Sequence, residues 1–307
     1  MTVKPKLHIS SALTMCSLAA HPPAFGAPAK TCPVTTMSHE HGYQPPREGD
    51  LRSVCPALNT MANHGYISRD GKDISPYMVY SGLMACYGLS SPLAVLLTVG
   101  GWLLVERYFG QRLNLFEIGL HNGVEHDASV VHLDCPPGQK NAPIEIQPEL
   151  VADFAAHVVE RAREDSCSME VEERDVFVTE RDIALTRVRR ERLSEPLSAM
   201  HAEMARGEMA IILGVWHQRV DGAEGAPLQW LRTWLAEERL PSGWKPDHVN
   251  TLMDVMHRAS AIRKEMNRIR EEERKVDSTR RKRRRGVLDI VVYFCGLVYD
   301  YLVRYLV

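Results

Sequence analysis

The side chain in this chain with the most chemical potential is the thiol of Cys55. It heads the run Val54-Cys55-Pro56-Ala57-Leu58-Asn59-Thr60-Met61-Ala62-Asn63-His64-Gly65-Tyr66, which reads as a short helix. Pro56 suits the first helical position, where a missing N–H costs nothing. Leu58, Met61 and Ala62 share one face, and Gly65 suits a left-handed stop. A sulfur at that N-terminus meets free backbone N–H groups and the positive end of the helix dipole, and both lower a thiol pKa. On these residues alone two readings stay open: a buried structural cysteine at a cap, or a reactive or metal-ligating thiolate. The other cysteines, at 16, 32, 86, 135, 167 and 295, form no C-x-x-C pair, and the odd count with irregular spacing argues against a disulfide framework.

Two further segments carry ionisable groups. Glu125-His126-Asp127-Ala128-Ser129 gathers nitrogen and oxygen donors, although such a triplet is uninformative by itself. In Arg206-Gly207-Glu208-Met209-Ala210-Ile211-Ile212-Leu213, Glu208 opens an apolar run. A carboxylate in an apolar pocket has a raised pKa and exchanges protons near neutrality. A solvated glutamate in a first turn would merely complement the dipole. Glu203 is the neighbouring candidate, without the following apolar run. Thirteen histidines also admit a metal-dependent hydrolase, through His39-Glu40-His41 or the stretch from His121 to His126. Neither gives H-E-x-x-H, and the second is one residue too long for H-x-x-E-H.

The Cys55 run resembles the proximal helix of the fungal haem-thiolate peroxidases, the chloroperoxidases and short unspecific peroxygenases. In that family Cys-Pro precedes a Leu-Asn-x-x-Ala-Asn-His-Gly-Tyr-like helix, and Val54 here replaces the more usual proline. The resemblance implies haem b with Cys55 as axial ligand to iron and the amides of Ala57 and Leu58 directed at its sulfur. Glu125 to Ser129 matches the second signature, which combines a distal histidine with a cation site beside a haem propionate. Carried over, Glu125, the backbone carbonyl of His126 and the Ser129 hydroxyl would hold Mg2+ or Mn2+, hard cations suited to oxygen. The family continues Ser-Leu-Ser-Arg, whereas this chain has Ser129-Val130-Val131-His132 and lacks the arginine. Glu208, hydrogen-bonded to His126, would be the catalytic acid–base. Hydrogen peroxide and an organic substrate are then the reactants, with oxygen insertion, electron abstraction or halide oxidation as the branches. Met209, Ile211 and Ile212 beside Glu208 favour an apolar substrate over halide. Relatives in gene clusters for aromatic polyketides suggest secondary metabolism, such as mycotoxin biosynthesis.

An all-α domain must position these groups. Periodicity predicts helices over 56–64, 76–86, 92–109, 148–165, 181–203, 208–219, 228–237 and 247–275, while alternating strand patterns are scarce. With 45% apolar and 25% charged residues the chain can build a core, and a net charge of −2 excludes a uniformly basic nucleic-acid coat. The expected organisation is a leader over 1–49, a haem-thiolate peroxidase domain over 50–247, a charged amphipathic helix with a basic run over 248–285, and an apolar tail over 286–307. Glu237-Glu238-Arg239-Leu240-Pro241, followed by Gly243-Trp244, matches the family's C-terminal end, and the resemblance covers neither leader nor tail. The leader has the outline of a signal peptide, with Lys4 and Lys6 ahead of an apolar stretch diluted by serines and a histidine. The tail has spanning length, yet Asp289, Asp300 and Arg304 fall on one stripe, as in a helix lying at an interface. Cleavage of the leader would set Arg280 to Arg285 on the wrong side for the positive-inside rule, so secretion and membrane association through the tail exclude each other. A tail-anchored helical interaction module would account for the ends of the chain but not for the Cys55 run.

Overall fold

The computed structural model describes residues 41–306 except 109, 167–169 and 221, with side chains as far as residue 281. Contacts divide the chain into a unit of 39–307 and a segment of 1–38; the signal-peptide outline and His39-Glu40 lie outside the described residues. Residues 41–49 run without helix, and Gln44 N–H donates to the Asn63 carbonyl at 2.9 Å.

Among the described residues eight α-helices dominate. α1 (Pro56–Asn63) begins on Cys55 as N-cap with proline in its first turn, and Gly65 behind it takes φ +72. α2 (Pro76–Tyr87) is capped by the Ser75 hydroxyl, which accepts from Met78 N–H at 3.2 Å. It stops at Gly88, where a Cβ would stand 2.6 Å from the His248 carbonyl oxygen. α3 (Ser91–Leu104) packs on α2, and α4 (Pro148–Ser166) lies against α7 (Leu228–Glu237). α5 (Glu180–Leu193) starts in a Thr179/Asp182 capping box, and α6 (Ala199–Val215) starts at Ser198, whose hydroxyl accepts from His201 N–H. Both pack against α8 (Leu252–Leu306), which buries Val255, Ile262, Met266 and Ile269 at helical spacing. Trp216 and Trp234 meet Tyr87 at the centre and Trp244 packs on Trp216, with ring centroids 4.4–6.4 Å apart.

The expected all-α class holds, with corrections in detail. The helix predicted over 92–109 ends at Leu104. The helices predicted over 181–203 and 208–219 are α5 and α6, and the break between them falls at Ser194–Ser198, around Pro196. Proline lacks the N–H that a continuing helix needs, and Ser198 supplies a cap for the next one. Glu208 therefore lies inside α6, not in a first turn. The last helix starts at a Thr251/Asp254 cap, with Thr251 N–H to Asp254 Oδ2 at 2.9 Å, and its backbone continues to Leu306. A small antiparallel sheet of β1 (Phe177–Val178), β2 (Gln218–Val220) and β3 (Ala223–Pro227), ordered β1-β3-β2, was not predicted. Its strands are too short, and β3 too rich in glycine and charge, to alternate. Among the described residues no helix is long and apolar enough to cross a membrane.

Candidate functional site

Cys55, Ala57, Leu58, Glu125, His126, Ser129 and Glu208 all line one cavity of about 270 Å³. Segments far apart in sequence thus converge where the motifs anticipate. Its walls are mostly apolar, with Leu83, Leu97, Ile118, Val124, Met209 and Ile212 among the lining residues.

The thiol is aimed by its own helix. Asn59 reaches back across the N-terminus: its Oδ1 accepts from Ser53 N–H at 2.8 Å, and its Nδ2 donates to the Ser53 carbonyl at 2.7 Å. Ser53 Oγ in turn accepts from Cys55 N–H at 3.1 Å. Tyr87 Oη donates to the Ala57 carbonyl at 2.9 Å and fixes the first turn against α2. Burial pushes the Cys55 thiol up to about 11, while the Leu58 amide and, less strongly, the Ala57 amide pull the other way. The lowering expected from the helix terminus alone is therefore reversed, because desolvation, with the Glu208 charge adding to it, outweighs the two amides. A metal ion in front of the sulfur would deprotonate it outright.

The second wall carries His126 and Glu208. His126 Nε2 lies 3.4 Å from Glu208 Oε2, and His126 Nδ1 donates to the Asp127 carbonyl at 2.8 Å. Burial disfavours the imidazolium, but the Glu208 carboxylate beside it prevails and holds His126 above its ordinary value. The Glu208 side chain is 47% exposed, so it is not enclosed in the apolar pocket expected for it. Its place mid-helix also removes the alternative of a first-turn glutamate serving the dipole.

Around Glu125 the donors differ from the expected set. His121 Nδ1 lies 2.8 Å from Glu125 Oε2, and one ligand atom from each of His121, Glu125 and Asp127 falls within 4.8 Å of the others. Ser129 Oγ accepts from the amides of Val131 and His132 at 3.2 and 3.1 Å, which uses both its lone pairs within its own turn. His132, in place of the family's arginine, lines the cavity with its Nε2 lacking a hydrogen-bond partner.

Sequence reasoning missed what holds this loop. Ala128 adopts φ +64, and Arg187 of α5, 1% exposed, donates from Nη1 to its carbonyl at 2.8 Å. Arg187 also pairs with Glu191, and Arg190 Nε donates to the Ser129 carbonyl at 2.7 Å. No signal marks these arginines, because inward-facing charge on α5 looks like ordinary surface. Arg187→Leu is expected to cost about 2 kcal/mol, since it strands the buried Ala128 carbonyl while Glu191 keeps its pairing with Arg270. Thermal unfolding of the variant measures it.

Peroxide cleavage needs a proton carried from one oxygen to the other by a positioned ionisable group, and this cavity offers such groups beside a thiol. The class is that of a peroxidase. Residues 41–249, more than half of the chain, match the family model described as Peroxidase, family 2. The chain belongs to that family, the chloroperoxidase-type haem-thiolate peroxidases, and is an oxidoreductase that uses haem and peroxide to oxidise an organic substrate. No match is found among curated proteins. Membership sets aside the metal-dependent hydrolase and the non-enzymatic module.

Proposed function

We propose that Cys55 ligates haem iron as thiolate and that the domain over 50–247 oxidises an apolar organic substrate with hydrogen peroxide. The observation that carries this reading is one cavity lined by both the Cys55 thiol and the His126–Glu208 pair. The residues present fit haem: a sulfur with two amides turned to it, set among mostly apolar walls. Bound there, haem supplies the iron that activates peroxide, and a thiolate ligand pushes electron density that favours O–O cleavage.

The chain's own residues then move the proton. Glu208 Oε2 accepts it from one peroxide oxygen and delivers it to the oxygen that leaves as water. With His126 Nδ1 committed to the Asp127 carbonyl, Nε2 can donate to Glu208 only as imidazolium, the form its raised pKa favours. His126 thereby orients the carboxylate. Glu125 with the His126 carbonyl would hold Mg2+ or Mn2+; the Ser129 hydroxyl of the expected set has both lone pairs taken by the Val131 and His132 amides, and His121 and Asp127 offer donors within reach of the same carboxylate.

Met209, Ile211 and Ile212 line the cavity and favour an apolar substrate, hence peroxygenation or peroxidation over halogenation. An aromatic polyketide in secondary metabolism is the candidate substrate class, on the family resemblance alone. The carbon monoxide difference spectrum of the purified protein tests the ligation: a thiolate-type band is expected, and a histidine-type band refutes it. The tail over 286–307 we assign to membrane association outside the catalytic domain. Truncation after Arg285 is expected to leave peroxide turnover unchanged and abolish vesicle binding; loss of folding would make the tail part of the core.

A further inference from the structure

Glu238 takes no part in the chemistry above, yet its carboxylate is turned in against the helix that carries the thiol. The residue caps α7 at φ +48, the left-handed region. Glycine is the usual residue at such a stop, and a side chain there is strained. What the side chain reaches is Asn59, whose Nδ2 donates to Glu238 Oε1 at 2.6 Å. Asn63 Nδ2 donates to the Glu238 carbonyl at 3.2 Å. From Asn59 the path continues to Ser53 Oγ, which donates to Asn59 Oδ1 at 3.1 Å and accepts from Cys55 N–H at 3.1 Å.

The charged and titratable groups facing Glu238 are few. Arg52, from the segment before α1, spends Nε and Nη2 on Asn63 Oδ1 at 3.1 and 2.7 Å and acts on Glu238 only through space. Tyr43 feels its charge, and Arg239 lies over the Tyr43 ring at 5.6 Å. Cys55 feels it too, in the direction that resists removal of its proton. Burial pushes the Glu238 carboxyl up to about 7, with the Asn59 hydrogen bond and Arg52 opposing.

We propose that Glu238 is a positioning residue for the Cys55 sulfur: through Asn59 and Ser53 it fixes the turn that aims the thiol, and its negative charge strengthens electron donation from sulfur to iron. The assignment rests on the thiolate-ligated haem reading. Glu238→Gln keeps the volume and the acceptor for Asn59 and removes the charge. In the haem-loaded full chain, the one-electron reduction potential is read between about pH 5.5 and about pH 8.5. The unsubstituted protein should become harder to reduce across that window by about tenfold in the equilibrium constant, about 59 mV. The variant should lack this step and stay at the higher potential. Identical pH dependence in the two proteins overturns the proposal. Should the variant not fold, Ser53→Ala cuts the same path with the carboxylate in place, and an unshifted carbon monoxide band overturns it equally. A protein with no thiolate-ligated haem would refute the ligation reading instead. Peptide-resolved alkylation of Cys55 by iodoacetamide then decides on Glu238: a rate about threefold or more higher in Glu238→Gln supports it, and equal rates reject it.

Discussion

Cys55→Ala is expected to abolish both the thiolate-type carbon monoxide band and oxygen transfer, with the helical fold retained. Alanine keeps the backbone of α1 in place, because the Asn59–Ser53 hydrogen bonds and the Tyr87 bond to the Ala57 carbonyl do not involve the sulfur. Residual haem in the cavity would then lack the anionic ligand and its electron push. The loss should reach several orders of magnitude in peroxide-dependent oxygen insertion, the scale on which an essential covalent partner differs from an ordinary wall residue. The spectrum and a hydroxylation assay on the same sample measure it. Persistence of both signals would mean that another of the cysteines holds the iron.

Glu208→Gln should retain haem and the thiolate band yet lose about 100-fold or more in turnover, the usual magnitude for a positioned acid–base group. The amide is isosteric and can donate from its NH2 to Nε2 of the neutral His126 ring, so binding of an apolar substrate is expected to be nearly unchanged. The deficit should therefore appear in kcat with little change in KM for the organic substrate. The protonation state of His126 should also change, because the carboxylate that lifts its pKa is gone, leaving burial to favour the neutral ring. NMR titration of the imidazole would follow this, with the His126 midpoint lower in the variant. Turnover equal to that of the unsubstituted enzyme would return Glu208 to a surface role consistent with its exposure.

The Cys55 turn was legible in the sequence because the residues that start, aim and end its helix are local. Pro56 starts the helix, Gly65 ends it, and Cys55, Ala57, Leu58 and Asn59 stand within one turn. The distal half depends on tertiary placement and was read less well. The break between α5 and α6 had its markers in Pro196 and Ser198, but the continuous helical periodicity on either side masked them. Arg187 left no trace, since periodicity counts apolar residues and the inward face of α5 also buries Asp182 and this arginine. The dipole at Cys55 could be anticipated from its position, whereas the desolvation that overrides it comes from helices far along the chain. The proximity of His121 to Glu125 and Asp127 arises in an irregular loop, where spacing predicts nothing.

The segment after α7 has a consequence for biogenesis. Asn59, Asn63 and His64 are each tied to residues 238–240, between 175 and 179 positions later in the chain. A ribosome adding 5–20 residues per second needs roughly 10–40 s to deliver that partner. Until then the nascent cysteine helix lacks its closing strap. On the thiolate reading, capture of the cofactor waits until residues 238–240 have been made, and in cells starved of porphyrin proteases should attack the chain first at this seam.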